Sequence, residues 1–161
     1  MAKDTAISWT DHTFNPWWGC EKVSPACAHC YAETFAKRVG FSKNSPSAKP
    51  PLWGEGSARR FFEDKHWNKP VYWDAAAAKE GIRRRVFCAS MADVFDKNAP
   101  EGARDRLWRL TWETPHLDWL LLTKRIGNVH RMVPPEWLAN GMGRAFGRWP
   151  RSEEHTSELQ S

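Results

Sequence analysis

The chain has 161 residues, of which 27% are charged and 41% hydrophobic, and its formal net charge is +5. No stretch approaches the roughly 20 apolar residues that a membrane-spanning helix needs, and the N-terminus lacks the apolar segment of a secretory signal. We therefore predict one cytoplasmic domain with no membrane partner. In the cytoplasm thiols stay reduced, so clustered cysteines indicate metal binding or catalysis rather than disulfides.

Residues 151–161 resemble the translation of a common sequencing adapter, and we leave them out of the fold prediction. We expect a longer protein cut near Pro150, with residues 1–150 as the N-terminal part of one α/β domain whose C-terminal part is lost. Without the tail's one arginine and three glutamates, the 24 basic and 19 acidic residues fall to 23 and 16, a net charge of +7. This balance favours an anionic partner such as nucleic acid, although a solvated basic face explains it equally well.

The first predicted unit is a strand, a cysteine-rich connection and a helix. Residues 6–9 alternate weakly as a short strand, and residues 11–19 favour an irregular loop. A Cys-x6-Cys-x2-Cys segment, residues 20–30, follows directly. Residues 31–39 then show helical spacing, with Gly40 as the terminator. The cysteines therefore lie on a strand-to-helix connection.

The next predicted unit follows a long excursion. Residues 41–70 are rich in Ser, Lys, Gly and Pro and have no sustained period, which predicts a surface segment. A helix is expected from Asp74, as its N-cap, to Gly81, as its terminator. Residues 86–91 form a continuous apolar run that is typical of a strand buried on both faces.

The third predicted unit completes an alternating pattern. Residues 100–112 are expected to form an amphipathic helix with Pro100 in its first turn, residues 117–123 a strand, and residues 126–132 a further helix. Alternating strands and helices predict a parallel sheet, either open or part of a barrel.

Chemically useful residues follow each predicted strand. In parallel α/β folds the functional residues gather at the carboxyl ends of the strands. Three thiolates on one loop suit a metal or an iron–sulfur cluster with one coordination position left open. The residues at the three strand ends are the cysteine loop, then Ser90 and Asp93, and then Thr123, Lys124 and Arg125.

The ordered motifs resemble the phage-associated three-cysteine-motif family, known as phage protein gp-thirty-seven/gp-sixty-eight. The resemblance runs from about Ile7 to Arg125, and its motifs are residues 8–16, Gly19-Cys20, Ser24, Cys27, Cys30-Tyr31-Ala32, residues 90–95 and residues 122–125. That family is similar to radical S-adenosylmethionine enzymes, which carry a [4Fe–4S] cluster after the first strand of a partial barrel. The resemblance implies a partial parallel (β/α) barrel of this type, truncated after about three βα units.

The resemblance also implies a cofactor and its binding residues. Cys20, Cys27 and Cys30 would hold three irons of a [4Fe–4S] cluster, and the fourth iron would bind S-adenosylmethionine. Ser90 and Asp93 would contact the amino group of that cofactor, and Lys124 or Arg125 its carboxylate. The implied function is a radical S-adenosylmethionine-type enzyme with no assigned catalytic residue. Its substrate is unknown, with a nucleic acid or nucleotide and a partner protein as candidate partners.

Two departures from the radical-enzyme pattern keep a second hypothesis open. The first cysteine gap is six residues rather than three, and His29 stands where an aromatic residue is usual. The alternative is a structural zinc site of the three cysteines closed by His12 or His29, in a basic nucleic-acid-binding module without catalysis. Cys88 is expected to be a small core residue rather than a ligand.

Overall fold

The computed structural model describes residues 5–41 and 49–139, which form a mixed α/β protein. Pro25–Cys27 form a short 3-10 turn. The strands and helices are β1 (His12–Thr13), β2 (Trp17–Trp18), α1 (Tyr31–Arg38), β3 (Arg60–Phe61), α2 (Asp64–Trp67), α3 (Lys69–Glu80), β4 (Arg84–Cys88), α4 (Ala103–Glu113), β5 (Leu117–Leu121), α5 (Ile126–Met132) and α6 (Pro135–Ala139).

A parallel sheet of three strands forms the centre of the fold, in the order β1-β4-β5. His12 pairs with Val86 in β4, and Cys88 at the end of β4 pairs with Leu121 at the end of β5. Because all three strands run the same way, their carboxyl ends share one edge. β2 and β3 form a separate antiparallel pair. The predicted parallel α/β class is confirmed, while the barrel stays a prediction.

The main core lies between this sheet and the helices. Val86, Cys88 and Leu121 supply its strand side, and Leu107 and Trp108 of α4 supply part of its helix side. The indole Nε1 of Trp108 donates to the Met132 carbonyl oxygen at 2.9 Å, which ties α4 to α5. A buried indole needs such an acceptor, so this contact fixes the packing of the two helices. Burial of these residues makes the sheet edge a rigid support for the loops that follow it.

The helix after the cysteines ends as predicted. Ala32 and Ala36 of α1 are buried in a second, smaller core cluster with Phe41, Leu52 and Met91. The helix ends at Arg38, and Gly40 follows with a φ of +99°. Glycine adopts this left-handed conformation without the steric cost of a Cβ atom. The predicted helix and its terminator are therefore confirmed.

The first strand is not where the apolar alternation placed it. Residues 6–9 are irregular, and β1 lies at residues 12–13, inside the predicted loop. Polar groups cause the difference, because Thr10 Oγ1 accepts a hydrogen bond from the Phe87 amide at 3.1 Å and Asp11 Oδ2 accepts one from the Arg85 amide at 2.8 Å. These contacts align the chain with β4 before the ladder begins. The prediction of a strand at 6–9 was wrong.

Two predicted helix starts were also wrong. The helix expected from Asp74 begins at Lys69, with Pro70 in its first turn. Asp74 is not a cap, because its Oδ1 instead accepts a hydrogen bond from the His116 amide at 2.6 Å. Pro100 lies outside α4, since Gly102 has a φ of +71° and the helix starts only after it.

The remaining predicted helices and strands agree more closely with the structure. Gly81 ends α3 with a φ of +69°, β5 lies inside the strand predicted at 117–123, and α5 spans the predicted residues. β4 overlaps the strand predicted at 86–91 but begins two residues earlier, at Arg84. The predicted tail at 151–161 lies outside the described residues. Within the described ranges, no helix has the length and apolar character needed to cross a membrane.

Candidate metal and cofactor site

A cavity of about 420 Å³ lies at the carboxyl edge of the parallel sheet. Five parts of the sequence line it: Ile7, the cysteine loop, Trp53 from the excursion, the end of β4 with the loop after it, and the loop after β5. Every residue predicted for the site lines this cavity. These residues are Cys20, Cys27, Cys30, Ser90, Asp93, Lys124 and Arg125.

Cys20 is held against a cation. Its Sγ accepts a hydrogen bond from Arg125 Nη1 at 3.2 Å, and it lies 3.5 Å from the Glu21 carbonyl oxygen. Burial raises the pKa of the Cys20 thiol above its ordinary value, while the charge and hydrogen bond of Arg125 oppose that rise. The guanidinium therefore favours the thiolate form, which is the form that binds metals.

Cys27 closes the 3-10 turn and lies in a different environment. Burial acts to raise its pKa, but backbone hydrogen bonds at Val23 and Ser24, the Ser24 hydroxyl and the charge of Lys124 together lower the pKa of this thiol. The Ser24 Oγ and Cys27 Sγ atoms are 3.8 Å apart. Donors that surround a sulfur in this way stabilise a thiolate.

Cys30 is the residue immediately before α1, so its backbone is extended while its carbonyl oxygen already accepts from the Thr34 amide at 3.2 Å. His29 and Tyr31, on either side of it, line the same cavity. Tyr31 is 71% exposed and stacks on Phe35, with ring centroids 6.1 Å apart. The third thiol and two ring side chains thus share one rim of the cavity.

The donor set suits a thiolate-bound metal, but the thiols have not converged. All three cysteines are free of disulfides and half-buried or buried on one cavity, which is the chemistry that soft metals and iron–sulfur clusters require. Across residues 5–41 and 49–139, no three His, Cys, Asp or Glu side chains are arranged to hold a metal ion. Holding a cluster would therefore require the three cysteine side chains to come closer together than they are in this structure.

Asp93 organises the loops after β4 and β5. Its Oδ1 accepts hydrogen bonds from the Phe95 amide at 2.9 Å and the Thr123 hydroxyl at 2.8 Å. Its Oδ2 accepts from the Lys124 amide and from Arg125 Nη1, both at 3.1 Å. The carboxylate is 6% exposed and has its acceptor positions filled by protein groups.

Ser90 and Lys124 face the cavity with different freedom. The Ser90 hydroxyl lies 3.1 Å from Asn15 Nδ2, and Asn15 Oδ1 accepts from the Met91 amide at 2.7 Å, so Asn15 fixes the loop after β4. Lys124 is exposed, and its Nζ donates to the Ala26 carbonyl oxygen at 2.8 Å. The predicted contacts of these residues with a cofactor stay predictions.

Sequence reasoning missed several residues that support the site. Trp53 lies in the segment predicted to be a surface excursion, yet its backbone pairs with Cys20 and its side chain lines the cavity. Arg59, from the same segment, forms a buried ion pair with Asp96 at 2.8 Å. Local sequence patterns do not predict these contacts, because the partner of each residue is more than 30 positions away in the chain.

The structure also locates Cys88, predicted to be a core residue, and His12, one of the two predicted zinc ligands. Cys88 is fully buried in the core side of β4, as expected, and burial strongly raises the pKa of its thiol. The imidazole of His12 stacks on Trp73 with centroids 4.2 Å apart and does not line the cavity. Of the two histidines proposed as a fourth zinc ligand, His29 is the one beside the cysteines.

Comparison with known proteins gives a family without a known activity. No curated protein and no solved structure matches the chain. A family model described as a protein of unknown function, DUF5131, matches residues 4–153. Because this match covers more than half of the sequence, the chain belongs to the DUF5131 family of proteins of unknown function.

Proposed function

We propose that this protein is a radical S-adenosylmethionine-type enzyme whose cluster is held by Cys20, Cys27 and Cys30. The observation that carries the proposal is the shared cavity: three free thiols line it, together with polar residues from the ends of β4 and β5. When bound, such a cluster supplies one-electron chemistry that the protein itself cannot perform. The resemblance to the phage-associated three-cysteine-motif family and to a partial radical-enzyme barrel belongs to the same proposal.

The protein's own residues have definable tasks in this proposal. Arg125 holds Cys20 Sγ by a hydrogen bond and opposes the rise that burial causes in the pKa of that thiol, while the donors of the 3-10 turn lower the pKa of Cys27. Ser90 and Lys124 present a hydroxyl and an ammonium group at the cavity, where they could bind the polar end of a cofactor. Trp53 and Tyr31 supply aromatic surface on the same cavity, which suits packing against a planar group.

The proposed substrate class rests on the charge of the chain. The net charge of +5 favours an anionic substrate, and a nucleic acid or nucleotide is the class we propose. A cytoplasmic location follows from the requirement that the cysteines stay reduced.

The test of this function is release of 5′-deoxyadenosine. The chain is purified without oxygen, loaded with iron and sulfide, and incubated with S-adenosylmethionine and a strong reductant. We expect 5′-deoxyadenosine from the native chain and none from Cys27→Ala. Cys88→Ala, which changes a cysteine away from the cavity, is the matched control and should retain activity. Absence of the product from chain that carries a cluster would refute the proposed chemistry.

A zinc site is the second candidate, and the location of His29 favours it. His29 and the three cysteines line one cavity, and Cys3His is a common ligand set for structural zinc. The protein would then be a basic nucleic-acid-binding module without catalysis. One zinc per chain, lost in both Cys27→Ala and His29→Ala, would support this function, whereas His29→Ala should leave a three-cysteine cluster in place.

A further inference from the structure

Arg125 connects the first cysteine to the two strand ends. Its Nη1 donates to Cys20 Sγ at 3.2 Å and to Asp93 Oδ2 at 3.1 Å, and its Nη2 donates to the Glu21 carbonyl oxygen at 2.9 Å. The residue is 9% exposed. One buried guanidinium thus holds both the sulfur and the backbone of the cysteine loop against the end of β5.

The contacts of Asp93 fix the direction of this guanidinium. Asp93 pairs with Arg125 while it also accepts from the Thr123 hydroxyl and the Lys124 amide. Thr123 Oγ1 in turn accepts from the Arg125 amide at 2.9 Å. Both ends of the arginine are therefore anchored, and a buried ion pair with this many hydrogen bonds keeps its geometry.

We propose that Arg125 is a positioning residue for Cys20, holding that sulfur in place in the cavity, rather than a ligand for the carboxylate of a bound cofactor. This inference rests on the proposed function, because it assumes that the three cysteines bind metal. Three of the four N–H groups on Nη1 and Nη2 donate to Cys20, Asp93 and Glu21. The exposed Lys124, whose Nζ donates to the Ala26 carbonyl oxygen, is therefore the better candidate for an anionic group. Groups that orient a metal ligand commonly affect metal affinity about 10–100-fold when removed.

The experiment uses Cd²⁺ as the probe, because cadmium thiolates have a charge-transfer absorbance that counts the bound sulfurs. The reduced full chain is titrated with Cd²⁺ in the native form and as Arg125→Met and Arg125→Lys. We expect Arg125→Met to weaken binding about 10–100-fold and to lose about one third of the absorbance at saturation, as Cys20 drops out. Arg125→Lys, which keeps a positive charge and a hydrogen-bond donor, should recover part of the Cd²⁺ affinity and part of the absorbance.

Two further variants separate positioning from misfolding. Arg125→Met leaves the Asp93 carboxylate buried and unpaired, so the double variant D93N/R125M removes that charge while it retains an acceptor for Thr123. This double variant should fold and still show the loss of Cys20 absorbance. Arg109→Met, which changes an exposed arginine of α4, is the matched control and should bind Cd²⁺ like the native chain.

The outcomes of this titration are distinct. Native binding with full absorbance in folded Arg125→Met and in the double variant would overturn the role of Arg125 and leave the proposed function standing. Failure of the native chain to bind Cd²⁺ through its cysteines would overturn the proposed function and this inference together. Loss of one third of the absorbance, with partial recovery in Arg125→Lys, supports both.

Discussion

At the scale of single residues, the three cysteines of the cavity are not equivalent. Cys20 lies against a buried guanidinium, Cys27 is surrounded by donors of a 3-10 turn, and Cys30 stands at the start of a helix. Thiol reactivity depends on the thiolate fraction, so these differences can be measured before any metal is added.

We predict different pH profiles for alkylation of Cys20 and Cys27 in the metal-free chain. The pKa of Cys27 is lowered and the pKa of Cys20 is raised, so the alkylation rate of Cys27 should reach half its maximum at a lower pH. Mass spectrometry of chain treated with iodoacetamide at a series of pH values measures both midpoints. Comparing midpoints rather than rates removes the effect of solvent access. A Cys20 midpoint below that of Cys27 would contradict the described electrostatics.

Asp93 should matter for stability as well as for the site. Asp93→Ala removes the nearer of the two carboxylates beside buried Arg125, since Asp96 Oδ1 lies 3.9 Å from Nη2, and breaking a buried pair in this way costs about 3–5 kcal/mol. Asp118→Ala is the matched control, because Asp118 pairs with Arg83 in a partly exposed location and its loss should cost about 1 kcal/mol. Urea unfolding measures both. Equal decreases in the free energy of unfolding of the two variants would show that Asp93 does not organise the strand ends.

At the scale of elements, the approach of the cysteine loop to the excursion depends on Gly19. Gly19 has a φ of +118°, and a Cβ atom there would lie 2.7 Å from the Leu52 carbonyl oxygen. Gly40 has a similar φ of +99°, but a Cβ atom at Gly40 would meet no atom of the described residues within 4 Å. The two glycines therefore separate backbone strain from steric exclusion.

We predict that Gly19→Ala is more damaging than Gly40→Ala. Each substitution pays a backbone cost of about 1–3 kcal/mol, while Gly19→Ala adds a clash with backbone that costs about 1–3 kcal/mol more. The free energy of unfolding of both variants tests this, and Cd²⁺ affinity should fall only in Gly19→Ala. Equal decreases in the free energy of unfolding of the two variants would mean that the close approach of Gly19 to Leu52 does not determine the conformation of the cysteine loop.

The elements that could be predicted are those whose signals are local. The helix after Cys30 and its stop at Gly40, and the buried strand around Val86, follow from periodicity and turn chemistry alone. The first strand could not be found in this way, because its register depends on hydrogen bonds that the Thr10 and Asp11 side chains accept from amides of a strand some 75 residues later.

The same distinction holds for the site. Functional residues gather at the carboxyl ends of parallel strands, and this rule predicted that the cysteines, Asp93 and Arg125 lie together. In the structure they line one cavity. The rule did not reveal which of them contact each other. The Arg125 bond to Cys20 spans 105 residues, and Trp53 enters from a segment without any period, so both require the folded chain.

At the scale of the whole molecule, the cavity joins parts of the chain that are otherwise separate. Cys20 and Arg125 lie 105 positions apart, and Lys124 reaches Ala26 across 98. A metal held by all three cysteines would add to these links and would bind the folded chain better than the unfolded one. Metal binding should therefore raise the free energy of unfolding of the chain.

We predict that metal binding raises the melting temperature through the cysteines of the cavity. Free metal at 100 times its dissociation constant stabilises a folded protein by about 2.7 kcal/mol. Thermal unfolding with and without Cd²⁺ should show this rise for the native chain and for Cys88→Ala, but a much smaller rise for Cys27→Ala. A chelator should reverse the effect. An equal rise in Cys27→Ala would place the metal elsewhere.

The most direct test of a cluster at this site is the content of iron, acid-labile sulfide and zinc in the anaerobically purified chain. We predict about four irons and four sulfides per chain after reconstitution, retained in Cys88→Ala and lost when Cys20, Cys27 or Cys30 is replaced by Ala. One tightly bound zinc without iron, or iron that survives replacement of these cysteines, would contradict the account.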